Sequence, residues 1–96
     1  MTLLPDILSF IKREFPPQEQ ARAVALVDTA VLHDGKPAGP RCQRSAVVGS
    51  YGSLERLESL IADLKKDYRD VIVAGEYEVR EKKLVRVRDL AQPFEE

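Results

Sequence analysis

The chain has one cysteine (Cys42), one histidine (His33), one methionine and no tryptophan in 96 residues. A lone cysteine excludes an internal disulfide framework and suits a reducing compartment. One histidine and one cysteine cannot supply the three or four ligands of a structural zinc site. No metal and no cofactor is therefore expected. An excess of one charge sign is also missing. Fifteen Lys and Arg stand against sixteen Asp and Glu, for a net charge of -1. Such a chain has no global field to draw in nucleic acid or an anionic membrane. No apolar run approaches the ~20 residues of a membrane span. Met1 to Leu8 carries no basic residue ahead of its apolar positions, and Asp6 interrupts them, so the segment does not read as a secretory leader. The expectation is a cytoplasmic protein with no membrane partner.

What is present is the composition of one ordered domain, residues 1–96: 44% hydrophobic and 32% charged. A chain of this length buries somewhat over ~60% of its unfolded surface, enough for one core. Leu4, Ile7, Leu8, Ile11 and Phe15 recur at helical spacing. Thr2 is placed to cap this helix, Pro5 suits its first turn, and Pro16-Pro17 stops it. Pro17 then opens a second helix to about Leu32. The apolar density of Ala23–Val27 is also compatible with a buried strand, but four alanines favour helix. His33 to Pro40 is a loop, with a turn at Asp34-Gly35. Residues 41–51 are framed as a short helix by Pro40 and Gly52, with Ser45–Val48 as a rival strand.

The segment from Ser53 to Glu78 is the most informative. Ser53 is a good N-cap, and Leu54, Leu57, Leu60, Ile61 and Leu64 form one stripe. Lys65-Lys66 then suits a helix C-terminus. Asp67 can cap another helix over 68–76, although the β-branched Val71-Ile72-Val73 would also suit a strand. From Tyr77 the period changes to two. Tyr77 and Val79, then Val85 and Val87, alternate with charges around Arg80-Glu81-Lys82-Lys83, which predicts a β-hairpin. The tail Gln92–Glu96 offers Phe94 for docking. The fold class expected is mainly α: four to five short helices with a C-terminal β-hairpin. Strands at two of the segments 22–32, 41–51 and 68–76 would make it α+β with a small antiparallel sheet. The run Gly52-Ser53-Leu54-Glu55-Arg56-Leu57, followed by Tyr68-Arg69-Asp70-Val71 and Glu76-Tyr77, resembles small uncharacterised bacterial proteins across the second half of the chain. That resemblance implies no activity and mildly favours helix over 68–76.

Several constellations carry candidate chemistry. Gly49-Ser50-Tyr51-Gly52-Ser53 has the look of an anion-binding turn, but it lacks the lysine of a P-loop and the third glycine of a dinucleotide fingerprint. His33 and Cys42 could in principle form a nucleophile pair, with no orienting third group in view. The densest set is Tyr68, Arg69, Asp70, Glu76 and Tyr77, a candidate ligand- or partner-binding group; against it stands a purely structural role in capping and ion pairing. Arg80, Lys82, Lys83, Arg86 and Arg88 form a basic ribbon suited to a nucleic-acid backbone, with Arg41 and Arg44 as possible neighbours. Interleaved Glu78, Glu81 and Asp89 and the absence of stacking aromatics count against it. The preferred expectation is a non-catalytic protein-interaction or regulatory domain that binds a partner or itself. A nucleic-acid module on the basic hairpin is the alternative. A small enzyme or ligand-binder centred on Arg69, Asp70, Glu76 and Tyr77 is the third reading.

Overall fold

The computed structural model describes residues 3–94. Five helices precede one hairpin: α1 (Pro5–Glu14), α2 (Pro17–Asp28), α3 (Pro40–Gly49), α4 (Leu54–Leu64), α5 (Tyr68–Glu76), β1 (Tyr77–Arg80) and β2 (Lys83–Arg86). The mainly helical reading holds, and the three ambiguous segments are all helical for most of their length. The first three helices each open on a proline, whose fixed φ and missing N–H are harmless there. The last two open on side-chain caps. Ser53 Oγ accepts from Arg56 N at 3.2 Å and Asp67 Oδ1 accepts from Arg69 N at 3.0 Å. The cap expected of Thr2 lies outside the described residues.

The second helix stops at Asp28 rather than near Leu32. Thr29 Oγ1 donates back to the Ala25 carbonyl at 2.7 Å. The chain then turns on itself. Leu32 N donates to Lys36 O at 2.9 Å, Ala38 N donates to Ala30 O at 2.9 Å, and Val31 pairs with Pro37. Gly35, at φ 80, makes the reversal. Those backbone bonds compete successfully with helix extension, so His33 sits in a tight loop and not at a helix C-terminus.

Helix α3 is central and touches the other four. Its small residues explain how. Gly75 of α5 lies so close to α3 that a Cβ there would stand 2.6 Å from Ser45 Cα and 2.8 Å from Ser45 O. Ser45 spends its hydroxyl within its own helix, on Arg41 O at 2.7 Å, so the crossing leaves no orphan polar group. The core around this crossing is Ile7 and Ile11 of α1, Val27 of α2, Ala46 and Val47 of α3, Leu57 and Leu64 of α4, and Val71 of α5. Val71 and Gly75 are one turn apart and share the inward face of α5. The N-cap and this packing outweigh the β preference of Val71–Val73.

The antiparallel hairpin pairs Tyr77 with Arg86, Glu78 with Val85, Val79 with Leu84 and Arg80 with Lys83. Its two turn residues, Glu81 and Lys82, both have positive φ (51° and 64°), the geometry of a tight hairpin turn usually reserved for Asn-Gly. After β2 the tail returns to the helices. Leu90 is buried, and the Phe94 ring stacks on Phe10 at 4.6 Å.

Candidate functional site

The most enclosed ionisable group is Glu76, the last residue of α5, whose side chain is fully buried. Arg41, from the first turn of α3, clamps it through two bonds: Nε to Oε2 at 2.8 Å and Nη2 to Oε1 at 2.9 Å. Arg86 Nε from β2 donates to Oε1 at 3.0 Å, and Leu90 N from the tail donates to Oε2 at 3.1 Å. Its backbone carbonyl accepts from Val87 N at 2.8 Å. One carboxylate therefore gathers a helix, a strand and the tail. The Arg41 hydrogen bonds hold the Glu76 carboxyl below the ordinary carboxylate range against the opposing effect of burial. Arg41 is pushed upward by the same contact.

A second arginine, Arg44, lies one helical turn on and is almost completely buried. Its Nε donates to Asp6 Oδ2 at 2.8 Å and its Nη1 to Leu90 O at 3.2 Å. Asp6 Oδ2 also accepts from Phe94 N at 3.1 Å. Burial alone would raise the Asp6 carboxyl, but Arg44 and the Phe94 N–H together hold it low. Arg41 and Arg44 are thus each bound to a carboxylate and do not extend a basic surface.

The sequence-derived set of Tyr68, Arg69, Asp70, Glu76 and Tyr77 is not brought together. Arg69 folds back on Asp67, with Nε to Oδ1 and Nη2 to Oδ2 both at 3.0 Å, at the exposed start of α5. These contacts lower the Asp67 carboxyl. Asp70 is exposed in the first turn. Glu76 is six residues further on, about 9 Å along the helix axis. Tyr77 begins β1. Tyr68 and Arg69 do line a shallow pocket of about 230 Å³ with His33, Lys66 and Asp67, which Glu76 and Tyr77 do not reach. His33 faces this helix junction, while Cys42 is in the core with its thiol pushed up by burial.

The basic ribbon is largely neutralised from within. Arg80 pairs with Glu78 at 3.2 Å, Arg88 with Glu78 at 3.5 Å, and Arg86 with Asp89 at 3.0 Å besides Glu76. Arg88 also donates to the Gly75 carbonyl. Of the five cations, only Lys82 and Lys83 stay outside ion pairs among the described residues.

The hairpin exposes something else. Val79 and Leu84, directly opposite each other, are 74% and 57% accessible, and Val85 is also exposed. Sequence reasoning found the hairpin but not this pair. The available signal was the two-residue turn, which sets Val79 against Leu84 once its position is known. A separate apolar pocket of about 280 Å³ lies between Phe10, Val47, Val48, Tyr51 and Phe94, with Glu14, Gly52 and Arg88 also lining it. It was missed because it depends on where the tail returns. The glycine-serine turn beside it has structural roles. Gly52 has φ 75, and a Cβ there would meet Glu14 O at 2.5 Å. Arg56 holds the Gly49 carbonyl and covers the Tyr51 ring at 5.2 Å.

No helix among the described residues is long and apolar enough to cross a membrane, and no group of three or more His, Cys, Asp or Glu among them is placed to hold a metal ion. Set against protein-family models, curated proteins and solved structures, the chain matches none.

Proposed function

We propose that this chain is a small cytoplasmic protein-interaction domain, without catalysis, that meets its partner through the C-terminal hairpin. The observation that carries the reading is the exposed cross-strand pair Val79–Leu84. A lone surface apolar residue needs no explanation, but two facing ones on a ribbon with no third layer form a contiguous apolar spot where polar residues would be free of cost. Isolated two-stranded ribbons are marginal in water, and a partner that covers one stabilises it. The enzyme reading draws less support. Glu76 is fully occupied by the chain's own donors, and Arg69 and Asp70 stand at the other end of α5.

The test is a tagged pull-down from source-cell lysate, with and without nuclease, using the wild type and the double variant V79S/L84S. The expected result is a protein captured by the wild type in both arms and lost with the variant. Equal capture by the variant would remove the hairpin from the interaction. Capture lost on nuclease treatment would favour a nucleic acid held by Lys82 and Lys83.

A further inference from the structure

We infer that the outer edge of β1 is a self-recognition edge, on which a second copy of this chain pairs antiparallel about a two-fold axis through Val79. This rests on the hairpin being the contact element and adds the identity of the partner. In an antiparallel ladder, hydrogen-bonded and non-hydrogen-bonded pairs alternate. The pair that closes a two-residue turn, here Arg80 and Lys83, is hydrogen-bonded. Glu78 and Val85 are then bonded as well, and the N–H and C=O of Val79 point away from β2. Neither group has another backbone partner among the described residues.

Side-chain chemistry selects the register. A two-fold centred on Glu78 would set Glu78 against its own copy, and one centred on Arg80 would set two arginines together. Centred on Val79, the two Val79 backbones exchange reciprocal bonds, and each Glu78 stands opposite Arg80 of the other copy. These charged pairs are of the non-hydrogen-bonded type, in which side chains approach most closely. On the opposite face Leu84, Val79 and their two counterparts form one continuous apolar row across a four-stranded sheet, since Val79 and Leu84 are already cross-strand neighbours. The β2 edge does not offer this. A two-fold on Leu84 sets Lys82 against Arg86. Within one copy Glu78 already touches Arg80 at 3.2 Å and Arg88 at 3.5 Å. Dimerisation exchanges the first contact for its intermolecular equivalent and keeps the second.

So short an edge belongs to the weak class of interfaces. Sedimentation velocity of the full chain, run up to about 1 mM, is therefore the measurement. The wild type is expected to shift from monomer to dimer. E78R and R80E, which place like charges face to face, should each weaken self-association by roughly tenfold or more. An equimolar mixture of E78R with R80E restores both attractive pairs and should recover the dimer, as should the double variant E78R/R80E. A far-UV circular dichroism spectrum identical to wild type shows that each variant is folded, and the mixture tests the pairing even if a single variant is weakened. A wild type that stays monomeric at about 1 mM overturns the inference. So does a dimer indifferent to both reversals, or single-variant losses that neither mixing nor the double swap repairs. If the wild type is monomeric yet captures another protein that V79S/L84S loses, the interaction-domain reading stands and only the self-recognition falls.

Discussion

Residues 71–76 and 77–86 are neighbours in the chain and opposites in construction. In the first, Val71, Gly75 and Glu76 are enclosed, a glycine sits against the backbone of another helix, and a carboxylate has every near donor engaged. In the second, β2 is exposed throughout, and a tight turn is built from Glu81 and Lys82 at positive φ. The change falls at one residue boundary, where Tyr77 N donates to Val73 O and ends α5. The contrast teaches that the enclosed stretch carries stability, while the exposed one is the stretch to which recognition is proposed to belong. Substitutions at Val71, Gly75 and Glu76 should destabilise the protein, and those at Val79 and Leu84 should leave it folded and change what it binds.

Gly75→Val is the hardest test of the first half of that statement. Its side chain would drive into Ser45 Cα and O at the α3–α5 crossing. The expected loss is about 3 kcal/mol or more, seen as a large fall in the urea midpoint. Glu76→Gln comes next. It leaves Arg41 and Arg86 without their shared charge, and because both guanidinium groups are part-exposed the cost should be about 2–3 kcal/mol, at the lower edge of that for a fully buried pair. A Glu76→Gln variant that melts with wild-type stability would show that the carboxylate does not hold helix, strand and tail together.

Acid should expose the same division. Glu76 and Asp6 both have carboxyls held low in the folded state. A depressed folded value contributes stability that is complete above the ordinary range, about 4, and is lost as pH falls through the folded values. Stability should therefore be level near neutrality and decline below about pH 4, with Glu76→Gln flattening part of that decline. Asp67 is lowered too, but its exposed pair with Arg69 should add little. The smallest stability change belongs to V79S/L84S, within about 0.5 kcal/mol of wild type, because both side chains face solvent. Its effect should appear in partner capture. A large fall in melting temperature for this variant would erase the distinction between the two stretches.

The helices were legible because their signals are local. Pro5, Pro17, Pro40, Ser53 and Asp67 mark starts, and Leu57, Leu64 and Val71 carry the inward stripe. The end of α2 was not legible, since it depends on backbone bonds between Ala30–Leu32 and Lys36–Ala38 that no periodicity encodes. The sequence groups Glu76 with Tyr68, Arg69, Asp70 and Tyr77 because they are near one another in the chain. The real partners of Glu76, Arg41 and Arg86, are 35 and 10 residues away, and they are brought there by the α3–α5 crossing and the hairpin register. Arg44 looked like part of a basic surface because nothing in its neighbourhood announces Asp6.

Asp6 and Phe94 are 88 residues apart in sequence, and their hydrogen bond closes the longest loop among the side-chain hydrogen bonds described. Loop-closure entropy makes such a contact costly to form early, while α3, α4 and α5 can assemble through much shorter separations. The Phe94 clasp is thus expected to form after the helical contacts and to open before them. The Phe94 amide should exchange with solvent before those of the α3–α5 crossing. Exchange at Phe94 ahead of the α3–α5 crossing would show a tail that unclasps while the helical nucleus stays closed.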